Sequence, residues 1–255
     1  MTAQKQSLSA LVITYNEEHN IREVLNNLVF ADEIIVVDSF STDKTFEIAS
    51  SYKNVKAFQR TFDNFALQRN YTIDLASNPW ILFIDADERV TPELQHEINT
   101  IINQEKSASA YFMHRDFIFK DRKLRFSGWQ TDKIIRLFKK ENAFYNLNKI
   151  IHEKLIVNGD IKTLKNRLTH YSYFNYDAYK QKMIFYGQLK AQEELMKNTN
   201  PTFFHFFIRP AYQFLNQYVF RFGFLDGKKG IIICYLNALS VAERFRELKK
   251  IKQKN

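Results

Sequence analysis

Glycine is scarce in this 255-residue chain, with six in all and none before Gly128. Its absence from the amino-terminal half excludes both the glycine fingerprint of a dinucleotide-binding fold and a P-loop, which need glycine for close backbone approach to phosphate. A nucleotide diphosphate bound there would need another source of positive charge. Cysteine is scarcer still. The single Cys234 excludes an internal disulfide framework and any multi-thiolate metal site, suits a reducing compartment, and reads as a small buried hydrophobe. The stretch from Met1 to Ser9 lacks the charged-then-apolar order of a leader, so export is not expected. The longest apolar run, Gly230 to Val241, falls short of the roughly 20 residues of a membrane-spanning helix.

What is present describes a folded chain, with 45% hydrophobic and 25% charged residues. Aromatics are abundant at 15%, with 24 Phe and 13 Tyr. The net charge of +9 is uneven: ten Lys or Arg lie between residues 200 and 255 against Asp226, Glu243 and Glu247, leaving only +2 elsewhere. A basic tail of this kind attracts an anionic surface.

Short apolar runs alternate with helix-period segments through the first hundred residues, which predicts a parallel sheet with crossover helices. Strands are expected at Leu8 to Thr14, Glu33 to Val37, Val55 to Phe58 and Trp80 to Ile84, with helices near Ile21 to Val29, Lys44 to Tyr52 and Phe65 to Ala76. Thr91 and Pro92 mark a further helix start, as cap and first helical residue. Longer β runs follow at Ala110 to Phe119 and Lys133 to Phe138, with Lys120 to Arg122 as a turn. From Tyr176 the chain reads as helical, in three pieces broken near Asn200-Pro201 and Gly223 to Gly230. The division expected is a catalytic α/β domain over 1–175 and a helical extension over 176–255.

The carboxyl ends of parallel strands are where such sheets bind ligands. Asp85-Ala86-Asp87 follows the strand at Trp80 directly, and two carboxylates one residue apart can share Mg²⁺ or Mn²⁺, which would neutralise a diphosphate. The first strand ends in Thr14-Tyr15-Asn16-Glu17-Glu18 and the second in Asp38-Ser39-Phe40-Ser41-Thr42-Asp43, so three polar loops converge on one edge. Each alone is an ordinary cap or Asx-turn; together they argue for a site.

These stretches, with Gln68-Arg69-Asn70 and Phe83-Ile84-Asp85-Ala86-Asp87-Glu88, resemble the nucleotide-binding half of family 2 glycosyltransferases. Trp129 to Phe138, His152-Glu153 and His170-Tyr171-Ser172-Tyr173 resemble the lipopolysaccharide core β-1,4-glucosyltransferase branch of that family. The resemblance implies a GT-A-like mixed sheet flanked by helices and inverting transfer of a hexose, glucose first, from a UDP-sugar to a lipopolysaccharide core or other membrane glycolipid. It places Thr14, Tyr15, Asn16, Glu17, Asp38, Ser39, Gln68, Arg69, Asp85, Ala86 and Arg136 around the nucleotide sugar, with Asp87, Asp85 and His170 at the metal. The family's late Glu-Asp pair, which supplies the base, is missing. Single-step inversion still needs a carboxylate in reach of the acceptor hydroxyl, and Glu153 and then Asp132 are the candidates.

Ten of the 22 residues from Phe203 to Phe224 are Phe or Tyr, interleaved with Arg209 and Arg221, which suits a bilayer interface. That predicts a peripheral protein on the inner face of the bacterial cytoplasmic membrane. The rings would otherwise cover the catalytic domain or a homodimer contact. Nucleic acid is not an expected partner, since no binding module accompanies them. Two other functions use the same residues: a metal-dependent nucleotidyltransferase, and a non-catalytic membrane-associated scaffold that binds sugar nucleotides.

Overall fold

In the computed structural model of the chain, residues 6–119, 122–146, 154–173 and 176–254 are described. The chain divides into two compact units, Met1–Arg115 with Lys133–His170, and Asp116–Asp132 with Tyr171–Asn255.

The first unit opens as β1 (Leu8–Thr14), α1 (Glu18–Asn27), β2 (Glu33–Asp38), α2 (Thr45–Ser50), β3 (Val55–Gln59), α3 (Phe65–Leu75) and β4 (Trp80–Phe83). β1 to β4 pair in parallel in the order β3-β2-β1-β4, as the apolar runs predict. The runs lack alternation because both faces are covered. Leu8, Ala10 and Val12 pack against Ile21, Val24 and Leu25 of α1, whereas Leu11, Ile35 and Val37 pack against Ala66 and Ile73 of α3. Each buried Leu, Ile or Val among them contributes on the order of 2 kcal/mol.

β5 (Glu88–Val90) and α4 (Pro92–Ile102) follow; Leu94, Ile98 and Ile102 bury the apolar stripe of α4, and the Thr91 hydroxyl accepts from the Leu94 N–H at 3.2 Å. β6 (Ala110–Phe119) leads to β7 (Arg122–Leu124), β8 (Lys133–Lys139), β9 (Ala143–Tyr145), β10 (Leu155–Val157) and β11 (Ile161–Tyr173). β8 pairs antiparallel with both β4 and β6, and β11 pairs antiparallel with β5. Among the described residues the main sheet has nine strands. The short β5 and the thirteen-residue β11 were not among the expected strands.

In the second unit, Phe117 and Phe119 of β6 and Leu124 of β7 pack with Tyr179 of α5 (Tyr176–Met196) and with Ile233 and Leu236 of α7 (Gly227–Lys254). Between these helices lies α6 (Arg209–Leu215), flanked by π-helical turns at Phe204–Ile208 and Asn216–Phe220. The break expected near Gly223 is a single 3-10 turn, Gly223–Asp226. No described helix is long and apolar enough to cross a membrane.

Candidate functional site

The loops after β1 and β2 are laced together at their carboxyl ends. Asn16 takes a left-handed φ of 55°, its side chain accepts from the Thr42 N–H at 2.8 Å, and its own N–H donates to the Ser41 hydroxyl at 2.8 Å. The Glu17 N–H donates to Thr45 Oγ1, and the Glu18 N–H to Asp43 Oδ2. Asp38 is fully buried and organises this edge: it accepts from Thr14 Oγ1 at 3.1 Å, the Ser41 N–H at 2.8 Å and Gln59 Nε2 at 3.3 Å. Ser39 donates its N–H to the Thr14 carbonyl, and its hydroxyl accepts from buried Gln68. Tyr15 and Phe40 stand at this edge with their rings more than half exposed.

At the end of β4 two carboxylates meet three guanidiniums. Asp85 accepts from Arg69 Nη2 at 3.2 Å on one oxygen and from Arg136 Nη2 on the other. Fully buried Glu88 accepts the Asp85 N–H at 3.1 Å, and its second oxygen accepts from Arg136 Nη2 at 2.8 Å and Arg115 Nη1 at 3.2 Å. Glu88 therefore fixes the backbone and the charge of the Asp85-Ala86-Asp87 loop at once. Burial alone would raise the Asp85 pKa, but Arg136, Arg69 and Arg115 hold it well below the usual carboxylate range. For Arg136, burial works against the charge, and Asp85 with Glu88 outweighs it and raises the pKa. The guanidinium of Arg69 also lies 5.3 Å from the ring centres of Phe83 and Tyr145 and donates to the Tyr145 hydroxyl. Nε and Nη1 of buried Arg136 have no partner among the described residues. Ala86 is buried, and its carbonyl accepts from Arg89 at 2.7 Å.

Asp87 faces His170 across the β5–β11 pairing, whose register sets His170 opposite Glu88. Asp87 Oδ2 and His170 Nε2 are 3.1 Å apart, with the side chains 16% and 14% exposed. The two side chains are within hydrogen-bond distance of each other, and the same spacing is compatible with neighbouring ligands on an octahedral cation with bonds of about 2.1 Å. Asp85, the other expected ligand, directs both oxygens to arginines. Among the described residues no three His, Cys, Asp or Glu side chains converge on one point. Remaining positions would fall to phosphate oxygens and water, as is usual for Mg²⁺.

Of the two candidate bases, Glu153 lies outside the described residues. Asp132 ends the 3-10 turn Trp129–Thr131 in the second unit, where its N–H donates to the Trp129 carbonyl. Sequence reading assigned no role to Glu88, Arg115 or Tyr145. Glu88 stood inside the quoted motif, but its function depends on strand partners far away in sequence.

The description Glycosyl transferase family 2 matches residues 9–180. An uncharacterized glycosyltransferase of Rickettsia bellii is 29% identical over 264 residues, covering 97% of this chain and 87% of that protein. The lipopolysaccharide core biosynthesis glycosyltransferase LpsC of Rhizobium meliloti is 25% identical over 260 residues, covering 94% and 93% respectively. Among solved structures, residues 1–349 of S. aureus TarS align over 98% of this chain and 92% of that one, with a TM-score of 0.51 at 17% identity. The GT-A-like mixed sheet flanked by helices, expected from the sequence, is the architecture the two share, and this chain also has the expected carboxy-terminal helix.

Proposed function

Because the chain belongs to glycosyl transferase family 2, we propose that it transfers a hexose, glucose first, with inversion, from a UDP-sugar to a lipopolysaccharide core or another membrane glycolipid. One observation carries this reading: Asp87 and His170 meet 3.1 Å apart beside the arginine-bound Asp85, at the carboxyl end of a parallel strand. The names of two similar proteins support it, TarS having been crystallised with UDP-GlcNAc and LpsC being a lipopolysaccharide core enzyme.

Residues 1–175 are the catalytic domain on this reading, and 176–255 the membrane-associating extension. Mg²⁺ or Mn²⁺ held by Asp87 and His170 would supply the charge that neutralises the leaving diphosphate. Tyr15 and Phe40 offer exposed ring faces to the base, on loops that Asp38 and Asn16 hold in shape. Arg69 and Arg136 keep Asp85 ionised and aimed. The acceptor oxygen forms its bond to the anomeric carbon as the bond to the diphosphate oxygen breaks. The electron pair leaves with UDP, and Glu153 or Asp132 removes the hydroxyl proton. The enzyme works at the cytoplasmic face of the membrane, which the free, buried thiol of Cys234 suits.

The test is thermal melting with UDP, with and without Mn²⁺, followed by product analysis with UDP-glucose and a lipopolysaccharide core acceptor. Metal-dependent stabilisation by UDP that disappears in Asp87→Ala, with release of UDP, is expected. Pyrophosphate as product would indicate nucleotidyl transfer instead, and equal stabilisation of Asp87→Ala by UDP would remove the metal from the site.

A further inference from the structure

The segment between α5 and α7 presents an apolar surface that the described fold leaves open. Phe203, Phe207, Tyr212 and Phe220 are 69%, 60%, 63% and 71% exposed. The first two stack on each other, with ring centres 4.7 Å apart. The other side of the segment is occupied, since His205 packs on Phe245 of α7 and Phe206 joins the same cluster. One side thus serves the fold and the other faces outward.

Positive charge borders this surface. Lys249 lies 5.9 Å from the Phe206 ring centre, and Lys252 donates to the Asn200 and Asn198 side chains at 2.6 and 3.3 Å, so the basic end of α7 runs beside the start of the aromatic segment. A second copy of this chain would bring like charge against like, whereas anionic headgroups complement the border while the rings enter the interfacial layer. No described helix can cross the bilayer, so the segment would lie on it.

We propose that the aromatic surface of residues 203–225 docks on an anionic bilayer leaflet and fastens the loop leading to Asp132 to that surface. The fastening is explicit: buried Asp226 accepts from the N–H groups of Arg125 and Phe126 at 3.1 and 3.0 Å, and the Ser127 N–H donates to the Arg221 carbonyl at 2.9 Å. A lipid-borne acceptor would thereby reach the loop without leaving the leaflet. Only this last consequence rests on the glycosyltransferase reading.

Flotation of the whole chain with vesicles of phosphatidylethanolamine and phosphatidylglycerol, against vesicles of phosphatidylcholine alone, tests the docking. The wild type should float with the anionic vesicles and detach as salt rises. Combined Phe203→Ser, Phe207→Ser and Phe220→Ser should lower partitioning at least about tenfold, with the melting temperature and its shift by UDP unchanged. Combined Lys249→Glu and Lys252→Glu should weaken flotation severalfold without altering a ring. Undiminished flotation of the serine variant, or a wild type that stays with the soluble fraction, overturns the proposal. So does conversion of a wild-type dimer to a monomer by the serine substitutions, which would assign the surface to a second copy. The UDP shift is read separately, so failure of the donor site is distinguishable from failure of docking.

Discussion

The end of β4 and the segment before α7 reverse the usual partition of side chains in opposite ways. One buries charge, with Arg136 and Glu88 at 0% exposure, and the other exposes large rings, with Phe220 at 71%. The buried charges are paired with one another: Glu88 and Asp85 carry Nη2 of Arg136, and Arg69 and Arg115 flank them. The exposed rings are completed by nothing described in the chain. Substitution in the first region should therefore disturb the fold and the chemistry together, whereas substitution in the second should disturb neither until a partner is supplied.

The strongest way to break this contrast is to separate chemistry from folding inside the first region. Asp87 sits at its rim, paired with His170, and Asp87→Ala should lower kcat about a thousandfold, on the order of 4 kcal/mol in the barrier. Its denaturation midpoint should stay within experimental scatter of wild type, as urea titration would show. Glu88→Ala should behave differently. It strips Arg136 and Arg115 of their shared carboxylate in a fully buried position, and unpairing a buried ion costs about 3 kcal/mol or more. Glu88→Gln keeps an acceptor for the Asp85 N–H and should recover part of that stability in the same titration. Equal loss in both variants would mean that charge, not loop geometry, is what Glu88 supplies.

The two regions were also unequally legible. Apolar runs such as Ile34 to Val37 have only one physical reading when both faces are covered, and the Thr91-Pro92 signal states a helix start directly; both are in the structure. The Asp85-Ala86-Asp87 loop was legible because it follows such a run. Its support was not. Glu88 begins a three-residue strand, β5, whose partner β11 mixes Lys, Asn, Arg and His with few apolar residues and shows no clean alternation. Pairings 82 residues apart in sequence, such as Glu88 with His170, leave no local periodicity to read. Asp38 illustrates the opposite case: its position was legible, but only the fold shows that Thr14 of β1, Ser41 of its own loop and Gln59 of β3 all donate to its carboxylate.

Glu33 sharpens the comparison, because it is a buried carboxylate at the amino end of β2, away from the polar loops. Burial alone would raise its pKa, but hydrogen bonds from Lys56, the Ser77 N–H and the hydroxyls of Ser9 and Ser77 lower it from 4.5 to about 2. A carboxylate with a depressed folded-state pKa stabilises the protein above its unfolded value. That stability is lost as pH falls through the window from 4.5 toward about 2. Glu33→Gln should cost about 2 kcal/mol at neutral pH, and the gap from wild type should narrow across that window in a pH series of thermal melts. Transfer activity at neutral pH should be unchanged, which would show that buried charge marks function in this chain only where it meets the polar loops.

The smallest expected effect lies in the second region, at Gly128. Its φ of +100° belongs to backbone that glycine adopts freely and alanine does not. An added Cβ would also meet Arg221 Nη1 at 2.5 Å. That contact is inexpensive, because the end of an arginine side chain can swing aside; the backbone strain is not relieved so easily. Gly128→Ala should therefore lower stability by only about 1 kcal/mol. Its informative readout is the pair of substrate constants. The residues proposed for the donor site, Tyr15, Asn16, Asp38, Asp85 and Asp87, all belong to the first unit, and Gly128 belongs to the loop that Arg221 and Asp226 fasten within the second. If that loop serves the acceptor, KM for the glycolipid should rise while KM for the UDP-sugar holds steady. A rise in the donor constant instead would show that the loop before β8 serves the nucleotide, and the functional contrast between the two regions would fail.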